Sequence, residues 1–189
     1  MSPDSRWRSA APLSYWLDDT VQPAPRADFP RRSHVDLVVI GGGLTGLWAA
    51  LRSLERTPER SVLLLEATRV AEHASGRNGG FCSASITHGD ANGRARWPEE
   101  MDTLRRLGME NLDAIEATIE RYGIDCGAHR SGELDVAVED WQVDALREEY
   151  EARKAAGLHD RFLVGTELAR EFGSPRALAG LLDLSLIHI

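Results

Sequence analysis

From Val35 to Ile40 the chain reads Val-Asp-Leu-Val-Val-Ile, a nearly continuous apolar run rich in β-branched side chains. Such a run predicts a strand buried on both faces of a parallel sheet. It passes straight into Gly41-Gly42-Gly43-Leu44-Thr45-Gly46. A helical pattern follows from Leu44 to about Arg56, with Leu47, Ala50, Leu51 and Leu54 on one face and Pro58 as its stop. Ser61-Val62-Leu63-Leu64-Leu65-Glu66 repeats the buried-strand pattern. Strand, glycine turn, helix and strand make one βαβ unit, whose crossover should be right-handed.

Periodicity is weak elsewhere in the first half. Residues 1–32 carry Pro3, Pro12, Pro23, Pro25 and Pro30 and predict an arm, with Ser14-Tyr15-Trp16-Leu17 as an aromatic knot able to pack on the main body. Residues 71–97 are rich in Gly, Ser and Asn and predict a long loop of the functional kind. Pro98 to Tyr122 predicts a helix: Pro98 suits the first position, Glu99, Glu100 and Asp102 suit the positive end, and Gly123 suits the stop. Gly132 to Val138 alternates as a strand does, Asp140 to Ala156 predicts a helix stopped by Gly157, and Thr166 to Phe172 a short helix capped by Thr166. The expected organisation is an arm (1–32), a nucleotide-binding segment with its loop (33–97) and a helical segment with further strands (98–189). No internal repeat is visible.

Composition narrows the functions. The 189 residues are 42% hydrophobic, enough for a core, and carry a net charge of −8. The acidic balance excludes a general nucleic-acid binder, which needs a basic face. The charge is uneven: residues 1–97 hold 12 Arg against 10 acids, whereas residues 98–160 hold 7 bases against 17 acids. Those acids fall mostly on helical patterns and read as a solvated face. Cys82 and Cys126 are too few for a disulfide framework or a Cys-rich zinc site, and His73, His88, His129, His159 and His188 show no metal-ligand spacing. No run is long and apolar enough for a membrane helix, and Met1 to Arg32 lacks the apolar centre of a signal peptide. A cytoplasmic location is the expectation.

The glycine turn carries the chemistry. Gly41, Gly43 and Gly46 fit G-x-G-x-x-G between a strand and a helix, and Glu66 closes the next strand 20 residues beyond Gly46. Gly41 permits the tight turn, Gly43 lets a pyrophosphate approach the backbone, and Gly46 lets the helix lie close to the strand. The helix start at Leu44 and Thr45 offers free N–H groups and a partial positive charge to phosphate. A carboxylate at Glu66 can accept two hydrogen bonds from a ribose diol and would repel a 2′-phosphate, so FAD or NAD is favoured over NADP. Within the long loop, Ser75, Gly76, Arg77, Asn78, Gly79 and Gly80 could lay N–H groups along an extended ligand, with Arg77 pairing phosphate or stabilising charge on a flavin. On composition alone an ordinary flexible surface loop is the favoured explanation.

Val35–Glu66 followed by Ala74-Ser75-Gly76-Arg77-Asn78-Gly79-Gly80 resembles the D-amino-acid-oxidase-like (DAO) family of FAD-dependent oxidoreductases, in its amine-oxidising branch of γ-glutamylputrescine oxidase type. The Ser14-Tyr15-Trp16 arm belongs to the resemblance, which continues more loosely through Gly132–Ala137 and Ser174–Arg176. The glycine turn is shared by many flavoproteins, whereas the Ser-Gly-Arg-Asn-Gly-Gly string is specific. The resemblance implies an α/β fold: a Rossmann-like FAD-binding βαβ start followed by part of an α+β substrate domain. It implies oxidation of a C–N bond in a small amine or amino acid, with hydride passing to flavin, imine hydrolysis and reoxidation by oxygen. By carry-over, Gly41, Gly43, Leu44, Thr45 and Gly46 hold the pyrophosphate, Glu66 the adenosine ribose, and Ser75–Gly80 border pyrophosphate and flavin. In some relatives a His near this region bonds covalently to the flavin; for His73 a solvent-facing place is favoured.

Family members are longer than this chain, so an N-terminal fragment is expected, binding FAD weakly or not at all alone and showing no turnover. The ending Leu184-Ser185-Leu186-Ile187-His188-Ile189 fits the family poorly and reads as a truncated or artefactual terminus. Catalytic residues and oligomeric state are not assigned. Trp97, Trp141 and Tyr150 are candidate pocket walls, read more readily as core or half-buried, and Cys82 as a small buried filler. A non-catalytic adenine-dinucleotide-binding module and an NAD-linked dehydrogenase are the alternatives; the second leaves the Ser75–Gly80 loop unexplained.

Overall fold

The structure, a computed structural model, describes residues 13–19, 21, 24, 34–184 and 186–188. The proline-rich part of the arm lies outside the described residues. The chain divides into two compact units, Met1–Gly79 and Gly80–Ile189. Residues 80–97, grouped by the sequence reading with the nucleotide-binding segment, fall in the second.

The first unit is built on strand β1 (Leu37–Ile40), helix α2 (Leu44–Arg56) and strand β2 (Val62–Leu65), preceded by a one-turn helix α1 (Tyr15–Asp19). β1 and β2 pair in parallel, Leu37 opposite Val62 and Ile40 opposite Leu65. Asp36 and Ser61 clip the strand entrances together: the Ser61 N–H and hydroxyl reach Asp36 Oδ2 at 2.8 and 2.6 Å, and Asp36 N–H reaches Ser61 Oγ at 3.0 Å. Those Ser61 bonds hold the Asp36 carboxyl below the usual range. The expectation of β1 buried on both faces fails. Leu37 and Val39 are half-buried, but Val38 and Ile40 are 47% and 87% exposed. Helix α2 packs on both strands and shields one face, and alternate strand residues point to opposite faces. For the same reason no residue of α2 is fully buried.

The Ser14–Leu17 knot does pack on its own unit. Ser14 Oγ donates to the Gly76 carbonyl, Trp16 Nε1 donates to the Asn78 carbonyl at 2.8 Å, and Leu17 is buried. Gly76 makes room for this contact: a Cβ there would meet Leu17 Cδ2 at 2.9 Å.

The second unit contains strand β3 (Phe81–Ser83), helices α3 (Asp90–Arg96) and α4 (Met101–Tyr122), strand β4 (Glu133–Ala137), helix α5 (Asp140–Ala155), strand β5 (Arg161–Leu163), helix α6 (Gly165–Glu171), and strands β6 (Ala179–Asp183) and β7 (Leu186–His188). β6 is the centre of an antiparallel sheet of order β4-β6-β5, Ala137 opposite Ala179 and Leu163 opposite Gly180. β3 pairs antiparallel with β7. Helix α5 packs on all three strands of the larger sheet. Ala137, Leu163, Ala179 and Leu181 are buried apolar positions of the sheet, and Leu168 of α6 is buried beside Gly180. Gly180 admits the neighbours: a Cβ would meet Leu168 Cδ1 at 2.8 Å and Leu134 Cδ1 at 2.9 Å.

The predicted helices over Pro98–Tyr122 and Asp140–Ala156 are present, the first entered through a 3-10 turn at Pro98–Glu100. Gly123, at φ +59°, ends α4 in the left-handed conformation that glycine adopts without strain. Two expectations are corrected. The stretch 71–97 is not structureless: it holds a 3-10 turn (Ala74–Gly76), β3 and α3. Helix α3 is poor in helix formers, yet Asp90 binds Arg94 and Arg105 and Arg94 reaches Glu149 at 2.6 Å, which anchors it to the helices around it. Thr166 is not the cap of α6, which starts at Gly165 with Val164 before it and no side-chain cap bond. Among the described residues no helix is long and apolar enough to cross a membrane.

Candidate functional site

In the first unit the chain leaves β1 at Gly41, at φ +101°, with the Gly41 N–H on the Leu65 carbonyl at 2.7 Å. A Cβ on Gly46 would fall on the Gly41 carbonyl, far inside contact distance, and 3.2 Å from Val39 Cγ1. The first turn of α2 therefore lies directly on the backbone of the bend. Glu66 turns its carboxylate toward that bend: the Gly42 N–H donates to Oε2 at 2.7 Å and the Thr68 N–H to Oε1 at 3.1 Å. The Gly42 bond first, then that from Thr68, holds the Glu66 carboxyl below its ordinary range, so it is ionised at neutral pH.

Donors remain around it. Gly43 stands at the N-cap of α2 with no side-chain cap bond. Among the described residues the N–H groups of Gly43, Thr45 and Gly46 have no partner, while the Leu44 N–H donates to Ser75 Oγ at 2.9 Å. Three backbone donors at a helix start beside an ionised carboxylate can serve a phosphate and a diol together.

The rest of the specific loop closes on itself. Asn78 Nδ2 donates to the Ser75 carbonyl at 2.6 Å and Arg77 Nε to the Glu72 carbonyl at 3.0 Å, with Arg77 and Gly79 exposed. Gly80, at φ +80°, opens the second unit. His73 is exposed, its Nε2 lying 3.3 Å from Thr68 Oγ1. Sequence reasoning passed over Thr68, whose N–H and hydroxyl both reach Glu66. A Thr two residues after an acid is a recognised local bonding pattern and was the available signal.

The second unit holds a cavity of about 590 Å³ between the β3–α3 connection, α4, α5 and the larger sheet. Its polar wall has Asp90, Glu133, Asp135, Glu149 and Asp183 against Arg105 and Arg153. Trp97, Trp141 and Tyr150 do not line it; Trp97 and Trp141 are 43% and 70% exposed, and Tyr150 stacks with Phe162 at 5.8 Å. Burial pushes the Cys82 thiol up, consistent with packing rather than nucleophilic use. Desolvation, then Asp135 and Asp183, raises the Glu133 carboxyl. Desolvation also raises Asp135, with Asp183 and Glu149 adding to it. A carboxylate raised in the folded state favours the native form while protonated and loses that contribution as pH climbs through its folded value. Asp135→Asn should therefore raise the melting temperature at pH 7 and flatten its rise on mild acidification, as followed by circular dichroism. A lower melting temperature at pH 7 would show that the Asp135 charge is compensated.

A protein-family model described as FAD dependent oxidoreductase, DAO, matches residues 36–185. The chain belongs to the DAO family of FAD-dependent oxidoreductases. The cofactor of this family is FAD. Among DAO-like relatives, gamma-glutamylputrescine oxidoreductase of Escherichia coli K12 is 36% identical over 181 residues, which are 93% of this chain and 41% of that protein. A probable oxidoreductase, OrdL, of Haemophilus influenzae is 31% identical over 179 residues, again 93% of this chain and 41% of the relative. The chain thus spans about two-fifths of the length of these curated relatives. Glycine oxidase from Bacillus cereus superposes with a TM-score of 0.63 at 19% identity, over 82% of this chain and 40% of its own. That likeness speaks for the α/β fold of FAD-dependent oxidases. The bend fits the family cofactor: it offers unpartnered N–H donors, an ionised carboxylate and no side chain at Gly43.

Proposed function

We propose that the protein is an FAD-dependent oxidoreductase acting on a C–N bond of a small amine or amino acid, in the cytoplasm. The observation that carries the reading is Glu66 locked onto a glycine bend whose helix-start donors are unpartnered, within a chain 36% identical to gamma-glutamylputrescine oxidoreductase. FAD, when bound, supplies the hydride acceptor. The chain's own residues bind and orient it. The N–H groups of Gly43, Thr45 and Gly46 take pyrophosphate oxygens, and the start of α2 adds its partial positive charge. Gly41 and Gly43 leave the backbone bare for this approach, and Glu66 accepts hydrogen bonds from the ribose hydroxyls. Ser75 holds the Leu44 N–H and fixes the loop Gly76–Gly80 beside the bend's first helical turn.

The test is a titration of the purified chain with FAD, followed by flavin fluorescence and absorbance. ADP should compete with FAD for the chain and NADP should not, and the chain alone should show no turnover; in a protein of the full length of the curated relatives, anaerobic addition of small amines and amino acids should bleach the flavin bands. Binding of NAD in preference to FAD would replace the oxidase by a nicotinamide-linked reading, and bleaching of that longer protein by no amine or amino acid would remove the substrate class.

A further inference from the structure

The Glu66 carboxylate is gripped from two sides within the first unit. The Gly42 N–H holds Oε2 at 2.7 Å from the bend. On the other side Thr68 brings two donors to Oε1, its N–H at 3.1 Å and its hydroxyl at 3.4 Å. Oε1 thus accepts two donors and Oε2 one, which leaves a lone pair of Oε2 for a ligand hydroxyl. The same Thr68 oxygen lies 3.3 Å from His73 Nε2. With the proton on Nε2, His73 donates to Thr68, and the Thr68 hydroxyl proton is committed to Glu66.

We propose that Thr68, backed by His73, is a positioning residue that fixes the plane of the Glu66 carboxylate, so that the free lone pair of Oε2 faces a ribose hydroxyl, and thereby strengthens selection of a ribose diol over a 2′-phosphorylated ribose. Thr68 does not itself touch the ligand. A long, flexible Glu side chain loses rotamer entropy on ordering, and a site that has already ordered it spends less of its binding energy on doing so. Without the hydroxyl the carboxylate is held only by the Gly42 and Thr68 N–H groups, and its plane is less firmly set. The proposal rests on the dinucleotide reading of the bend.

Thr68→Val keeps the shape and the backbone N–H and deletes the hydroxyl; Thr68→Ser restores it. Two measurements on the full chain separate the outcomes. The first is an amide NMR titration with millimolar ADP and, separately, adenosine 2′,5′-bisphosphate. The second is the acid titration of the Glu66 carboxyl by carbon NMR in the free protein. In the parent chain ADP should shift the Gly43, Thr45 and Gly46 amides. Thr68→Val should weaken ADP about three- to tenfold, the range of one hydrogen bond, narrow the preference over the bisphosphate, and raise the Glu66 titration by a small step, since the Gly42 and Thr68 N–H bonds remain. Thr68→Ser should recover all three. Equal ADP affinity and an unmoved Glu66 titration in Thr68→Val would overturn the positioning role while leaving the bend's function intact. Failure of ADP to move those amides in the parent chain would overturn the dinucleotide reading and this proposal with it.

Discussion

Gly46→Ala should dismantle the glycine bend and abolish nucleotide binding. The added methyl would lie on the Gly41 carbonyl, part of the bend backbone that α2 packs on, and against the Val39 side chain. The carbonyl cannot rotate away, so the helix start must retreat from the bend. Overpacking of this kind costs about 2–4 kcal/mol, and the retreat also scatters the N–H groups of Gly43, Thr45 and Gly46. Gly43→Ala is the contrasting substitution. Gly43 has φ −78°, where alanine is unstrained, and a Cβ there meets Ser75 Oγ at 3.0 Å, a side chain that can turn by giving up its bond from the Leu44 N–H. It should cost only about 0.5–1.5 kcal/mol, the range of one lost hydrogen bond, yet obstruct the approach of a phosphate to the bend. Amide hydrogen exchange of β1 and β2 reads the first effect, and ADP titration reads the second. If Gly46→Ala left the exchange of Val39 and Ile40 unchanged, the close seating of α2 would be refuted.

How much of this was legible from residues depends on how local the determinants are. The β1–bend–α2–β2 unit was readable because an apolar run, glycines at fixed offsets and an apolar helical face lie within about thirty residues. Glu66 was singled out for the same reason, as the acid closing the next strand, and its carboxylate meets the Gly42 N–H at 2.7 Å. Burial was less legible. Val38 and Ile40 are apolar, but whether they are covered depends on how many elements surround the sheet, which strand composition does not encode.

Strands β5 and β6 escaped notice for another reason. Ala179-Gly180-Leu181-Leu182-Asp183 lacks β-branched and aromatic residues, and Arg161–Leu163 is only three residues long. Their strand state comes from pairing with β4 and with each other across long sequence separations, and from the shared packing of α5 and α6. Helix α3 is a similar case: its Gly and Asn argue against a helix, and Asp90 with Arg94 and Arg105 overrides them. Within the site, Thr68 and the bond from Leu44 N–H to Ser75 are short-range geometry that hydrophobic pattern does not register.

Arg153→Met should be the most destabilising single change in the second unit. Arg153 Nε and Nη2 grip Asp160 at 2.6 and 3.0 Å, and Nη2 also reaches Asp183 at 2.6 Å. Its side chain is 13% exposed and that of Asp160 only 5%. One guanidinium thus ties the last turn of α5 to the segment entering β5 and to the end of β6. Methionine keeps most of the volume but strands a buried carboxylate, a loss of about 3–5 kcal/mol for a broken buried pair. Lysine would be an incomplete substitute, since an ammonium cannot reproduce the two-pronged contact with Asp160. Arg153→Met with Asp160→Asn should recover part of the loss, because the penalty lies in the uncompensated charge more than in the missing bond. The charge also reaches the cavity: Arg153 pulls Asp135 down against the burial that raises it, so its removal should push the Asp135 titration higher still. Urea unfolding with hydrogen exchange of the β6 amides measures the first effect, and carbon NMR of Asp135 the second. A single substitution with unchanged β6 protection would mean that hydrophobic packing of α5, and not this ion triad, holds the sheet.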